Sequence, residues 1–228
     1  MSHDEDRERL LHELVKVFLE ENSKVNLSAF RTEESCWVGN ILDSLSFLEL
    51  LPLFSTLNSQ LSILDIGTGG GFPLLPLMIA LPDVRFTGID STQKKIDAVA
   101  RVITSLGFAR KAPLDLLCGR VEEFGHHFRE EFDVVTARAV AEINVLLEYA
   151  APFLKIGGKI ILWKSMDIEQ ELKESQRAQK EFHCPLKDRH VYELPGDFGK
   201  RQLLIFEKTG KTPPDYPRPV GMAKKKPI

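Results

Sequence analysis

Cysteine is scarce in this chain of 228 residues, and its distribution excludes two classes of protein. Cys36, Cys118 and Cys184 are odd in number, far apart and outside any metal-like spacing. A disulfide scaffold and a zinc module are therefore excluded, and buried thiols in a reducing compartment are expected. The six histidines form no ligand pattern, and the adjacent pair His126-His127 sits in a polar stretch that reads as a solvated loop. No metal is expected. No uninterrupted run of about 18 apolar residues occurs, so no membrane span is expected. The opening Met1-Ser2-His3-Asp4-Glu5-Asp6 is acidic where a secretory signal is basic and then apolar, which points to the cytoplasm. Internal repeats are also missing.

What is there is the composition of an ordinary globular protein, 43% hydrophobic and 28% charged, long enough for one sizeable core. The net charge of −3 does not by itself suggest a nucleic-acid partner, but its distribution is uneven. The first turns are rich in Asp and Glu. From Lys208 onward, Lys208, Lys211, Arg218, Lys224, Lys225 and Lys226 face the single acid Asp215. Such a tail can touch phosphate.

Leu10, Leu11, Leu14, Val15, Phe18 and Leu19 repeat at helical spacing over residues 4–21, with Ser2 and Glu5 placed as a capping box. A second helix is expected after Thr32. From Leu61 the pattern becomes strand, then helix, in alternation. Strands are expected at Leu61–Ile66, Val84–Asp90, Leu114–Leu117, Phe132–Thr136 and Lys159–Trp163. Helices are expected from about Thr92 to Leu106, which Gly107 can end, from Glu142 to Leu154, and near 168–181. His190–Leu194 and Gln202–Phe206 have no helix between them and read as a hairpin. Helices between apolar strands force parallel pairing with helices on both faces. The expected fold is a doubly wound α/β domain of about seven strands, mostly parallel with one antiparallel. Residues 1–58 form a helical cap on it, residues 59–208 the core, and residues 209–228 a proline-rich basic tail expected to be extended.

The most informative segment is Leu64-Asp65-Ile66-Gly67-Thr68-Gly69-Gly70-Gly71-Phe72-Pro73. Glycines directly after a strand let the chain approach a ligand at the strand's carboxyl end. The dinucleotide fingerprint Gly-x-Gly-x-x-Gly fails from Gly67, because its sixth position is Phe72. That disfavours a dehydrogenase. The order Asp65, Gly67, Gly69, Gly71 resembles motif I of class I methyltransferases. Asp90 ends the second strand, where a carboxylate accepts hydrogen bonds from both ribose hydroxyls of a nucleoside, and it can also cap the next helix. Thr136-Ala137-Arg138-Ala139 replaces the Asn/Asp-Pro-Pro-aromatic stretch of amino-methyltransferases. Cys184-Pro185 reverses the Pro-Cys order of carbon-five cytosine enzymes, so Cys184 is expected to be structural. No general base and no covalent nucleophile stand out.

Five further segments occur in one order with that loop: Asn22-x-x-x-Asn26-Leu27-Ser28, Asn40-Ile41-Leu42-Asp43-Ser44, Gly119-Arg120-Val121-Glu122-Glu123, Ala137-Arg138-Ala139 and Leu162-Trp163-Lys164. Together they resemble the glucose-inhibited division protein B family, the bacterial 16S ribosomal RNA guanine-N7 methyltransferases, over nearly the whole chain. The resemblance implies S-adenosyl-L-methionine as cofactor and 16S rRNA or the small ribosomal subunit as partner. It implies cofactor contacts at Gly67, Phe72, Val121, Glu122 and Arg138, which join Gly69 and Asp90 from the loop and strand. Arg138 and Lys164 are the positioning candidates. Three positions depart from the family pattern: Asn40 stands where histidine is usual, Leu74 where glycine is common, and Ser165 follows Lys164 where glycine is frequent. The alternatives to this activity are methylation of another RNA and a noncatalytic nucleoside- or RNA-binding protein of the same fold.

Overall fold

The computed structural model describes residues 3–54, 61–108 and 114–228, so the Ser2 capping box and the boundary at residue 58 lie outside the described residues. The chain starts with α1 (His3–Val25), then a composite helical stretch, Glu33–Phe54. That stretch contains α2 (Glu33–Cys36), a wide π-helical turn (Trp37–Leu42), α3 (Asp43–Leu45) and a 3-10 segment (Ser46–Phe54). The Thr32 hydroxyl accepts from the Ser35 N–H and starts it. By length and composition Glu33–Phe54 could cross a membrane, which the sequence reading passed over, but more than half of its most apolar window is buried inside the fold.

The sheet follows: β1 (Ser62–Ile66), α4 (Leu74–Ala80), β2 (Arg85–Asp90), α5 (Gln93–Ser105), β3 (Leu114–Cys118), α6 (Val121–Phe124), β4 (Phe132–Arg138), α7 (Ile143–Ala150) and β5 (Leu154–Lys164). Then come α8 (Glu169–Glu174), α9 (Gln176–Glu181), β6 (Leu186–Leu194), β7 (Gly199–Glu207) and α10 (Met222–Lys225). Strand order is β3-β2-β1-β4-β5-β7-β6, and β7 alone runs antiparallel to its neighbours. The expected seven-stranded, doubly wound α/β sheet is the observed one.

Adjacent strand residues serve opposite faces, as a period of two requires. Ile161 joins the core under α1, α4 and α5, whereas Ile160 and Leu162 join the core under α7 and α9. All three are fully buried, so the central strands read as continuous apolar runs.

Several boundaries differ from expectation: the hairpin strands begin earlier, at Leu186 and Gly199, the helix expected near 168–181 is two, and α7 and β5 are displaced. The helix expected to reach Leu154 ends at Ala150, because Pro152 cannot continue it, and a 3-10 turn (Ala151–Phe153) delivers Leu154 into β5. Gly157-Gly158 lies within β5 rather than before it. Leu154 pairs with Phe132 and Lys159 with Val134, so the residues between bulge outward.

The tail is the larger correction. It packs on the core instead of extending away. Arg129 donates to the carbonyls of Thr212, Pro213 and Tyr216. Tyr216 meets Phe182 edge to face, and Ala223 is 1% exposed. Lys208 is fully buried, its ammonium donating to Ala151 O, Leu154 O and Glu130. It serves the fold and is not available to phosphate.

Candidate functional site

The chain winds outward from β1 through β2 to β3, then crosses back to place β4 on the other side of β1. In such sheets the carboxyl ends beside this reversal form a crevice. Here it is a cleft of about 230 Å³ lined by Gly67, Asp90, Lys95, Val121, Tyr149 and Lys224, among others.

The glycine loop forms one wall. The N–H groups of Gly67 and Thr68 both donate to Ile89 O, at 2.8 and 3.0 Å, which draws the loop onto β2. Gly67 has φ +72°, and a Cβ there would lie 2.5 Å from Val140 Cγ2. No other residue fits. Asp90 is fixed from two sides: Oδ2 accepts from Gly69 N at 2.9 Å and Oδ1 from Thr92 N at 2.8 Å. Each carboxylate oxygen retains acceptor capacity for a further donor from the cleft. Both roles read from the sequence at Asp90, helix start and ligand face, are therefore compatible with its position.

The opposite wall is the turn into α6. Glu122 is 2% exposed, and its Oε1 accepts from Arg120 Nη2 at 3.2 Å and from the backbone N–H of Gly221 at 2.9 Å. Burial would raise its carboxyl, but the backbone donors and Arg120 outweigh it and hold the group below its usual value. Burial and the adjacent Glu122 carboxylate push the Tyr149 phenol up to about 12. Among the described residues, the buried Arg120 Nε and Thr212 Oγ1 make no hydrogen bond within the protein, while the buried Tyr149 hydroxyl faces the Glu122 carboxylate. Arg120 and Tyr149, which meet Glu122 here, both line this end of the cleft.

The other candidates lie elsewhere. Arg138 is on the rim between sheet and helical cap, its guanidinium donating to Gly39 O (3.0 Å), Asp43 Oδ2 (2.8 Å) and Asn40 Oδ1 (2.6 Å). Phe72 lies beneath it, 5.9 Å from ring centroid to guanidinium carbon, and packs edge to face on Phe18. Asp43 also accepts from Tyr192, and its carbonyl accepts from Trp163 Nε1 at 2.8 Å. Gly39 leaves room for Phe30 on this turn, since a Cβ would lie 2.3 Å from the Phe30 ring. Lys164 is paired with Glu171 and Ala141 O, beyond the end of the cleft. Cys184 is buried and its thiol is raised to about 12, as a structural cysteine requires.

Gly67, Asp90 and Val121 thus line the cleft, with Gly69 holding Asp90 and Glu122 buried behind Val121, while Phe72 and Arg138 sit on the rim toward the cap and Lys164 lies beyond the end of the cleft. Sequence reasoning missed Tyr149 and Lys224. A tyrosine beside Glu148 on a mostly apolar helix was the available signal for the first. Nothing local marked Lys224, whose place depends on contacts from distant residues.

The family model described as rRNA small subunit methyltransferase G matches residues 7–195. A ribosomal RNA small subunit methyltransferase G of Carboxydothermus hydrogenoformans is 37% identical over 230 residues, covering 100% of this chain and 94% of that protein. One of the same name from Streptococcus pyogenes is 40% identical, covering 93% of this chain and 88% of its own length. Among solved structures, TYW2 of M. jannaschii, determined in complex with AdoMet, superposes with a TM-score of 0.52 at 15% identity. It covers 71% of this chain and 75% of that one, a likeness of fold alone.

Proposed function

The chain belongs to the rRNA small subunit methyltransferase G family, and on that premise we propose that it transfers a methyl group from S-adenosylmethionine to N7 of a guanine in 16S ribosomal RNA. It is a methyltransferase of small subunit ribosomal RNA. The observation that carries the cofactor assignment is the cleft at the strand reversal, with Asp90 and the glycine loop on one wall and Arg120, Val121 and Tyr149 on the other.

Those residues fit a nucleoside. Asp90 accepts from ribose hydroxyls, Gly67 lets the backbone come close, and the main chain at Val121 and Glu122 reads a base edge. When bound, S-adenosylmethionine supplies a methyl group activated on a sulfonium. Guanine N7 carries a lone pair and no proton, so the protein has no proton to remove. Among the described residues, no histidine or cysteine lines the cleft. The remaining work is alignment and exclusion of water, with Arg138 holding the cap against the rim. Cap, core and tail serve this one site, in a protein acting in the cytoplasm on RNA.

Two measurements test this. Asp90→Ala removes the ribose acceptor and frees the N–H groups of Gly69 and Thr92. It should weaken binding of S-adenosylhomocysteine by about 1–3 kcal/mol in calorimetry. Gly69→Val should do worse, because its φ of +58° excludes a branched side chain. Unchanged affinity in both variants removes the proposed site. For the product, ribosomal RNA methylated by the protein should be cleaved at one guanine by borohydride followed by aniline, as 7-methylguanosine is. Methyl label on carbon, ribose or an exocyclic amine would overturn the N7 assignment, and no incorporation would leave only a binding protein.

A further inference from the structure

The basic tail has a use that its composition does not suggest. Of its cations, Arg218 is committed: Nε and Nη2 clasp the carboxylate of Glu148 on α7, with contacts of 2.9 and 2.6 Å respectively, and Glu148 is 1% exposed. Nη2 of Arg218 also donates to Lys226 O, which closes the segment on itself. Three residues further on, the Gly221 N–H donates to Glu122. Gly221 has φ +79° and begins the short turn α10. That turn buries Ala223 and puts Lys224 into the lining of the cleft, with Tyr149, Arg120 and Asp90. The segment is therefore held on α7 and on the α6 turn, the two elements that carry Tyr149 and Val121 of the cleft lining.

We propose that the C-terminal segment from Tyr216 to Lys226 is a built wall of the cofactor cleft, so that its seating and occupancy by a nucleoside cofactor stabilise each other. The inference rests on the reading of this cleft as the S-adenosylmethionine site. Glu122 is the joint. One carboxylate holds the tail through Gly221 and adjoins the corner where a base edge would meet the protein. A ligand that orders this corner favours the seated tail, and the seated tail favours the ligand by the same factor. A loose RNA-binding arm would instead leave the cofactor indifferent to its removal.

The test is calorimetric titration of S-adenosylhomocysteine into the full chain, a chain ending at Pro219, Lys224→Ala and Asp90→Ala. It is paired with tryptic cleavage after Lys224 and Lys225 of the full chain, with and without the ligand. The shortened chain should bind about tenfold more weakly or worse, the scale of one lost charge-assisted hydrogen bond. Lys224→Ala, an exposed change that leaves both anchors intact, should lose about threefold, and saturating ligand should slow cleavage by a similar factor or more. Wild-type affinity in both tail variants with no protection of the tail overturns the inference, while loss in Asp90→Ala alone keeps the cofactor reading. If the full chain itself fails to bind, the cofactor reading fails and this inference with it. Should the shortened chain not fold, Lys224→Ala and the protection measurement decide.

Discussion

Arg138→Ala should lower the free energy of unfolding by about 3–5 kcal/mol, the cost of removing one partner from a buried ion pair. The guanidinium is 18% exposed and Asp43 11%, so water replaces little of what is lost. Gly39 O and the fully buried Asn40 lose their donors in the same step. The Asp43 carboxylate keeps only Tyr192. Arg138→Lys should recover less than half, because one ammonium cannot serve three acceptors arranged for a planar fork. Denaturant unfolding of the two variants, with Asp43→Asn and the double mutant, measures this. The double-mutant cycle should give a coupling of about 1 kcal/mol or more. Stability of Arg138→Ala within experimental error of wild type, with cofactor affinity abolished, would sink the structural role and leave Arg138 purely as a ligand contact. The network joins the helical cap to β4 and, through Tyr192, to β6. The rim of the site is therefore held by residues far apart in sequence.

That distance explains what the sequence could and could not show. Strand positions were legible because Ile63, Val134, Ile160 and Ile161 sit in short apolar runs separated by amphipathic helices, and burial on both faces needs no long-range information. The glycine loop and Asp90 were legible because their chemistry is local: a strand end, a backbone with positive φ, and a carboxylate at the next strand's end. The partners of Arg138 were not, since Gly39 and Asn40 stand on a π-helical turn and Asp43 directly follows it, which brings Gly39 O, Asn40 and Asp43 to one point. Hydrophobic periodicity does not reveal such a turn. The tail failed for a related reason. Proline content and charge describe a segment by itself, whereas Arg129, Glu148 and Glu122, which fix it, all come from the core. Lys208 carries the same lesson. Counted as one basic residue of the tail, it is a buried donor to the ends of the 3-10 turn before β5.

Asp65 leads to the second large effect, and its sign is opposite to that of most carboxylates. It stands in β1 just before the glycine loop, 1% exposed, with Oδ1 accepting from Thr136 at 2.8 Å and Oδ2 from Thr68 at 2.9 Å. Burial raises its carboxyl from 3.8 to about 7, against the lowering by both threonine hydroxyls and by Arg138, and with a further rise from Asp90. The folded protein therefore binds this proton more tightly than the unfolded chain does. The stabilisation is complete below the unfolded value of 3.8 and is lost as pH rises through about 7. A shift of this size corresponds to roughly 4 kcal/mol between the two limits. Asp65→Asn keeps one acceptor oxygen, puts an amide N–H donor where the protonated acid has its O–H, and cannot ionise. Its stability relative to wild type should therefore climb between pH 4 and pH 7 and level off above pH 8, where the variant is the more stable by a few kcal/mol. Taking the difference between variant and wild type at each pH cancels the other titrating groups. Parallel stability curves across this range would show that the Asp65 carboxyl titrates alike in both states. A variant that loses stability most at high pH would mean that the ionised carboxylate, held by its two hydroxyls, is what the fold requires beside its ligand loop.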